Sequence, residues 1–196
     1  MAGCRPLICL DGCHIKGQHP GQLLTAVGID ANNGMYPIAY AVVEIESEET
    51  WQWVLEYLKE DLRMENNSSL YVFMSDKQKG LENVIKALFP NAQHRHCVRH
   101  LYNNFKYKNP GEGLKQLMWK AARSSTKPWY NKHMEDLRVL KQDAFTWFEK
   151  RPPIHWSRAF FEDNSKCDIL LNNFRYVGPN RSQALVSVVD GMDPSQ

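Results

Sequence analysis

Two aspartates, each closing a short apolar run, are the residues of this chain best suited to chemistry. Leu7-Ile8-Cys9-Leu10 leads into Asp11, and Leu70-Tyr71-Val72-Phe73-Met74-Ser75 leads into Asp76, sixty-five residues later. Runs of this kind read as buried strands, so both carboxylates would stand at strand tips. On neighbouring strands they could hold a divalent cation, because Mg²⁺ takes hard oxygen ligands and keeps several waters. Two such ions about 4 Å apart activate an attacking oxygen and stabilise the leaving oxygen of a phosphodiester. That nuclease-like arrangement needs a third acid. The competing reading is a pair of turn-forming aspartates, since Asp-Gly is also a common turn dipeptide.

Three other groups carry chemical potential. His94-Arg95-His96-Cys97-Val98-Arg99-His100 contains zinc-type donors, with Cys97 and His100 spaced to share one helix face. Dedicated zinc sites usually draw on two separated pairs, so Cys97 and His100 are candidates for a zinc or a structural role. His14 and Lys16 follow Asp11 closely and are candidates for DNA contact, or they decorate a loop. Trp119, Trp129, Trp147 and Trp156 lie among basic residues. Their faces could stack on exposed bases, but tryptophans in helices with an apolar period are more often core.

Positioning the two acids requires a sheet. Leu7–Asp11, Leu23–Asp30 and Tyr36–Ile45 read as three strands of an antiparallel meander, with Gly12–Gly21 a polar link and Asn33-Gly34 a turn. Ser47-Glu48-Glu49-Thr50 opens a helix, with acids at the positive end of its dipole. Trp51, Val54, Leu55, Leu58 and Leu62 form its apolar face. Leu70–Met74 is a fourth strand. Leu81, Val84, Ile85 and Leu88 mark a helix face, Ala92–His96 reads as a short fifth strand, and Cys97 starts a further helix. Residues 111–153 are helical and rich in Trp, Lys and Arg, and Trp156 to Phe161 would pack back onto the core.

Composition bounds the rest. A chain of 196 residues suits one domain with a sizeable core. A net charge of +2 demands no polyanionic partner. Between Lys106 and Arg158, however, basic residues outnumber acidic ones more than two to one, so this stretch could face phosphates or simply be a solvated helical face. Five cysteines without framework spacing fit a reducing compartment. The first residues lack the apolar core of a signal peptide, and no apolar run reaches the roughly 18 residues that span a bilayer. A soluble intracellular protein is expected.

The wording around the acids is more specific. Asp11-Gly12-Cys13-His14-Ile15-Lys16-Gly17, Leu23 to Asn33, Tyr36 to Glu44 and Glu49-Thr50-Trp51-Gln52-Trp53 follow one another in order. Ser75-Asp76-Lys77-Gln78-Lys79-Gly80-Leu81, His94 to Leu101 and Lys166 to Asn173 continue the series. Over roughly residues 3 to 174 the chain resembles Mutator-like (MULE) transposases of the plant type. The resemblance implies an α/β, RNase H-like fold: a five-stranded mixed sheet flanked by helices, with a helical insertion before the C-terminal segment. It implies a DDE site with Asp11 and Asp76 as catalytic and metal-binding acids, Mg²⁺ or Mn²⁺ as cofactor, DNA (transposon ends or target duplex) as partner, and the nucleus as location. The organisation so expected is a core over 1–110, an insertion over 111–153, a return to the core over 154–174 and a divergent tail over 175–196. A homo-oligomer is a candidate assembly that the sequence does not fix.

The third acid departs from that pattern. After Asn172-Asn173 the family carries a glutamate where this chain has Tyr176. A neutral phenol, with a pKa of about 10, is a poor Mg²⁺ ligand. Glu162, Asp163 and Asp168 are the substitutes within reach. From Arg175 the resemblance stops, and little precedes it, so the chain reads as truncated at both ends. The expected function is a transposase catalytic-domain fragment with impaired chemistry. The alternatives are a domesticated, non-catalytic DNA-associated or transcription-regulating protein, and a gene-model remnant without selected function.

Overall fold

The computed structural model describes residues 3–65, 67–78 and 80–172. Its centre is a five-stranded sheet built from β1 (Cys4–Ile15), β2 (Gly21–Asp30), β3 (Met35–Val43), β4 (Val72–Ser75) and β5 (Gln93–His96), in the order β3-β2-β1-β4-β5. The first three strands pair antiparallel, and β4 runs parallel to both β1 and β5. This is the mixed sheet expected of an RNase H-like fold.

The first hairpin is longer than its apolar runs. β1 continues through Gly12, Cys13 and His14, which pair with Leu24, Leu23 and Gln22 of β2. The segment expected as a polar link is thus largely strand. Its polar side chains are tolerated because this end of the hairpin lies beyond the buried part of the sheet, where Cys13 and His14 are exposed. β3 stops at Val43 rather than Ile45.

Helix α1 (Glu48–Asp61) starts where its cap residues predict. Ser47 Oγ accepts from the Thr50 amide, and the Thr50 hydroxyl answers the Ser47 amide in a capping box. α2 (Leu81–Leu88) follows β4. Both helices lay their apolar faces on one side of the sheet. Ile8, Leu10, Leu24, Ala26 and Phe73 there meet Trp51, Leu55, Leu58, Leu81, Val84 and Ile85. Because strand side chains alternate, Leu7, Cys9, Val72 and Met74 point to the opposite side, where they gather with Ile29 and Cys167.

A second core lies among α3 (Val98–Lys108), α4 (Glu112–Arg123), α5 (Lys127–Leu140) and α6 (Gln142–Glu149). Phe105, Met118, Leu137, Phe148 and Trp156 are fully or almost fully buried in it. Most of the tryptophans are therefore structural: Trp156 is fully buried, and Trp119 and Trp147 pack against this core. Trp129, at 53% exposure, stays on the surface. No helix among the described residues is long and apolar enough to cross a membrane.

Candidate active site

The parallel pairing of β1 and β4 sets the site. Leu7, Ile8 and Cys9 lie opposite Val72, Phe73 and Met74, an offset of sixty-five residues. Continued by two residues, the same register brings Asp11 alongside Asp76. The spacing seen in the sequence is the register of the sheet. Asp76 senses the neighbour: burial raises its pKa, His100 opposes that shift, and the Asp11 charge adds to it. Two like charges that sense each other at a half-buried edge raise each other's pKa.

Cys97 and His100 are tied to the pair electrostatically. Cys97 is the largest influence raising His100 above its ordinary pKa, burial opposes it, and the charges of Asp76 and Asp11 add to it. Burial pushes the Cys97 thiol up, but His100 and backbone contacts from Asn172 and His100 more than offset this, so it titrates below its usual range.

Asn172 reaches the same edge from the far end of the chain. Its side-chain amide donates to the Leu10 carbonyl at 3.0 Å, immediately before Asp11. The Leu170 carbonyl accepts from the Val98 amide at 2.8 Å. The returning segment is anchored by Arg95, which alternation directs away from His94 and His96. Its guanidinium donates to the carbonyls of Cys167 (2.6 Å) and Glu162 (3.1 Å) and lies 4.0 Å over the Phe161 ring. Sequence reasoning missed this anchor, because its acceptors are backbone carbonyls some seventy residues away.

The remaining candidates fall elsewhere. His14 is exposed and stands three residues after Asp11, so alternation sends it to the other face of the strand. Lys16 is exposed just past the strand end. The exposed Asp168 carboxylate pairs with Arg158 at 3.3 Å, and Glu162 and Asp163 are exposed. Tyr176 lies outside the described residues.

On the α2 side of the sheet sits a different cluster. His94, His96 and Glu82 bring potential ligand atoms within 4.8 Å of one another. The two rings are 7% exposed. Burial lowers His94 to about 4 and His96 to about 3, so both are neutral at pH 7. The HxH spacing on one strand face was visible in the sequence; Glu82, on a separate helix, was not.

Comparison with known proteins identifies the family. The profile of the MULE transposase domain matches residues 7–104, half of the chain. The chain belongs to the MULE transposase domain family. The matched stretch contains Asp11, Asp76, Cys97 and His100. Curated relatives include the transposase for insertion sequence element IS256 in transposon Tn4001 from Staphylococcus aureus and its counterpart from Enterococcus faecalis. Each is 32% identical over 104 residues, covering 50% of this chain and 26% of the relative. This MULE domain chain therefore spans about a quarter of the length of the curated relatives it matches. Similar solved structures include the simian T-cell lymphotropic virus intasome in complex with PP2A regulatory subunit B56 gamma. It is 10% identical, with a TM-score of 0.35 over 94% of this chain and 63% of that one. Another is the catalytic domain of Mos1 mariner transposase, 15% identical, with a TM-score of 0.34 over 82% and 83%.

One prediction arises from the acid pair. Because the pKa of Asp76 is raised on folding, its ionised form costs stability above that pKa. The cost fades as pH falls through the folded pKa and is gone below the unfolded value. Asp76→Asn should therefore raise the urea midpoint of the metal-free protein at pH 7, with the gain shrinking toward pH 3. A midpoint lowered at pH 7 would mean that the carboxylate is instead a net stabiliser.

Proposed function

We propose that this chain is the catalytic-domain portion of a MULE-type transposase, with Asp11 and Asp76 as its metal-binding acids and with impaired strand cleavage. The observation that carries the reading is the parallel pairing of β1 with β4, which leads Asp11 and Asp76, one residue past β4, toward one edge inside the stretch that matches the family. Their oxygens suit Mg²⁺ or Mn²⁺, which when bound would supply Lewis-acid stabilisation of a phosphodiester under attack. His100, whose pKa Cys97 and the two acids raise, would balance part of their charge. Asn172 ties the returning segment to the strand that bears Asp11. The impairment rests on Tyr176 standing where the third acid is expected. A phenol leaves one carboxylate too few, so charge developing in the transition state is less well stabilised.

The test is nicking of supercoiled DNA by purified protein in Mg²⁺ or Mn²⁺. Weak or absent cleavage is expected. Robust cleavage that Asp11→Ala abolishes would overturn the impairment.

A non-catalytic, DNA-associated role is the second reading, and a surface feature favours it. An open groove of about 590 Å³ between α4 and α5 is lined by Lys115, Lys120, Arg123, Trp119, Trp129 and His133. Arg123 lies 4.9 Å over Trp119, and Lys132 lies 5.1 Å over Trp129. The cations of this groove suit a phosphate backbone. Duplex binding that weakens steeply with salt would support this role, because neutralised phosphates release counterions. Nuclear location and self-assembly belong to the same proposal.

A further inference from the structure

We propose that Glu82, His94 and His96 form a second metal site, separate from the acid pair, that takes a Zn²⁺-class ion and clamps α2 to the edge strand β5. Zn²⁺ accepts imidazole and carboxylate donors, and two histidines with one glutamate is a set it commonly uses.

The hydrogen bonds around His94 decide what its ring can offer. Ser75 Oγ donates its only proton to the Asp76 carbonyl at 2.7 Å. Its contact with His94 Nε2 at 2.8 Å must therefore be a bond donated by the ring. That assigns the proton of the neutral ring to Nε2 and leaves a lone pair on Nδ1. His94 Nδ1 is buried and has no hydrogen-bond partner among the described residues, and the same holds for His96 Nε2. Buried nitrogens left unpaired are costly, and a bound cation would satisfy both. Ser75 then plays the part of an outer-shell acceptor that fixes the ring's tautomer and orientation.

The third donor is adjustable. Glu82 projects from the first turn of α2, and one of its carboxylate oxygens accepts from Lys86 at 2.9 Å. The present spread of up to 4.8 Å is wider than the roughly 3.3 Å between donors in a tetrahedral zinc shell. Closing it requires the flexible Glu82 side chain to swing inward from Lys86. His155, stacked on His96 with ring centroids 5.0 Å apart, walls the cluster, and its Nδ1 meets the His94 carbonyl at 2.7 Å. Three protein donors leave a fourth position for water.

The test uses the full chain stripped with EDTA and titrated with Zn²⁺ in competition with a chromophoric chelator, then with Co²⁺ to read coordination from its visible bands. One Zn²⁺ per chain is expected, and the Co²⁺ form should lack the sulfur charge-transfer band that a Cys97 ligand would give. Glu82→Gln, on a surface helix turn where folding is undisturbed, should weaken Zn²⁺ binding at least tenfold. His96→Phe should weaken it by about 100-fold or more, and Ser75→Ala by about 10- to 100-fold. The Asp11→Asn/Asp76→Asn double variant should bind Zn²⁺ like the parent, which separates this site from the acid pair. Absence of stoichiometric Zn²⁺ binding, or binding indifferent to Glu82→Gln and His96→Phe, would overturn the proposal. So would loss of binding in Cys97→Ser.

Discussion

Arg95→Met should cost on the order of 3 kcal/mol of folding stability, the largest effect expected from one side chain on the sheet. Arg95 is fully buried. Its guanidinium supplies hydrogen bonds to the Cys167 and Glu162 carbonyls and to Gln93 Oε1, the last at 2.8 Å. Methionine keeps the alkyl stem and the contact with Phe161 but leaves these three acceptors without donors. Each orphaned buried group costs about 1–3 kcal/mol. Relief of a buried cation, whose pKa burial has lowered to about 10, offsets part of that sum. The loss should be local as well as global: amide exchange should quicken over residues 161–170, which Arg95 fastens to the sheet, while α1 stays protected. Urea unfolding checks the magnitude. A variant as stable as the parent, with unchanged exchange, would mean that the returning segment is held by other contacts.

The second large effect is acid sensitivity of the metal-free protein. His94 and His96 titrate at about 4 and about 3 in the folded chain, chiefly because burial disfavours their charged forms. In the unfolded chain they return to about 6.5. Above pH 7 both states hold neutral rings and stability is level. As pH falls below 6.5 the unfolded chain binds protons that the folded chain refuses, so stability is lost until the folded values are reached. At 1.36 kcal/mol per pH unit per ring, the loss by pH 5 is about 4 kcal/mol. His100 works in the opposite sense. Its pKa is raised, first by Cys97 and then by the acids, so its contribution is fully present below the unfolded value and fades as pH rises through the folded one. His96→Phe isolates the buried rings by removing about half of the loss. Urea midpoints from pH 7.5 to 5 in EDTA provide the measurement. Midpoints that hold level to pH 5 would show that the rings are not buried as described.

Those two side chains also mark how much the sequence could tell. The apolar runs before Asp11 and Asp76 gave away their strands because burial on both faces requires uniformly apolar residues. The Ser47–Thr50 box located the start of α1, since a helix cap is a local device. The far half of β1 was illegible: Gly12 to His14 are polar, and only their pairing with Gln22 to Leu24 makes them strand. Arg95 lies between two histidines, and nothing near it in sequence signals the carbonyls that justify its burial. Cys97 and His100 carried the spacing of ligands, and their pKa shifts couple them to each other and His100 to the acids. Glu82 joined the histidines only because the chain folds α2 against β5. Local signals were readable, whereas partners set by sheet order were not.

The central claim is that Asp11 and Asp76 act together to hold a divalent cation. The most direct test is Mn²⁺ binding, read from loss of the free-ion EPR signal. The protein should be EDTA-stripped and should carry Glu82→Gln to silence the histidine cluster. Mn²⁺ should be captured by this protein, and adding Asp11→Asn and Asp76→Asn together should weaken capture about tenfold or more. Equal Mn²⁺ affinity with and without the two carboxylates would contradict the claim.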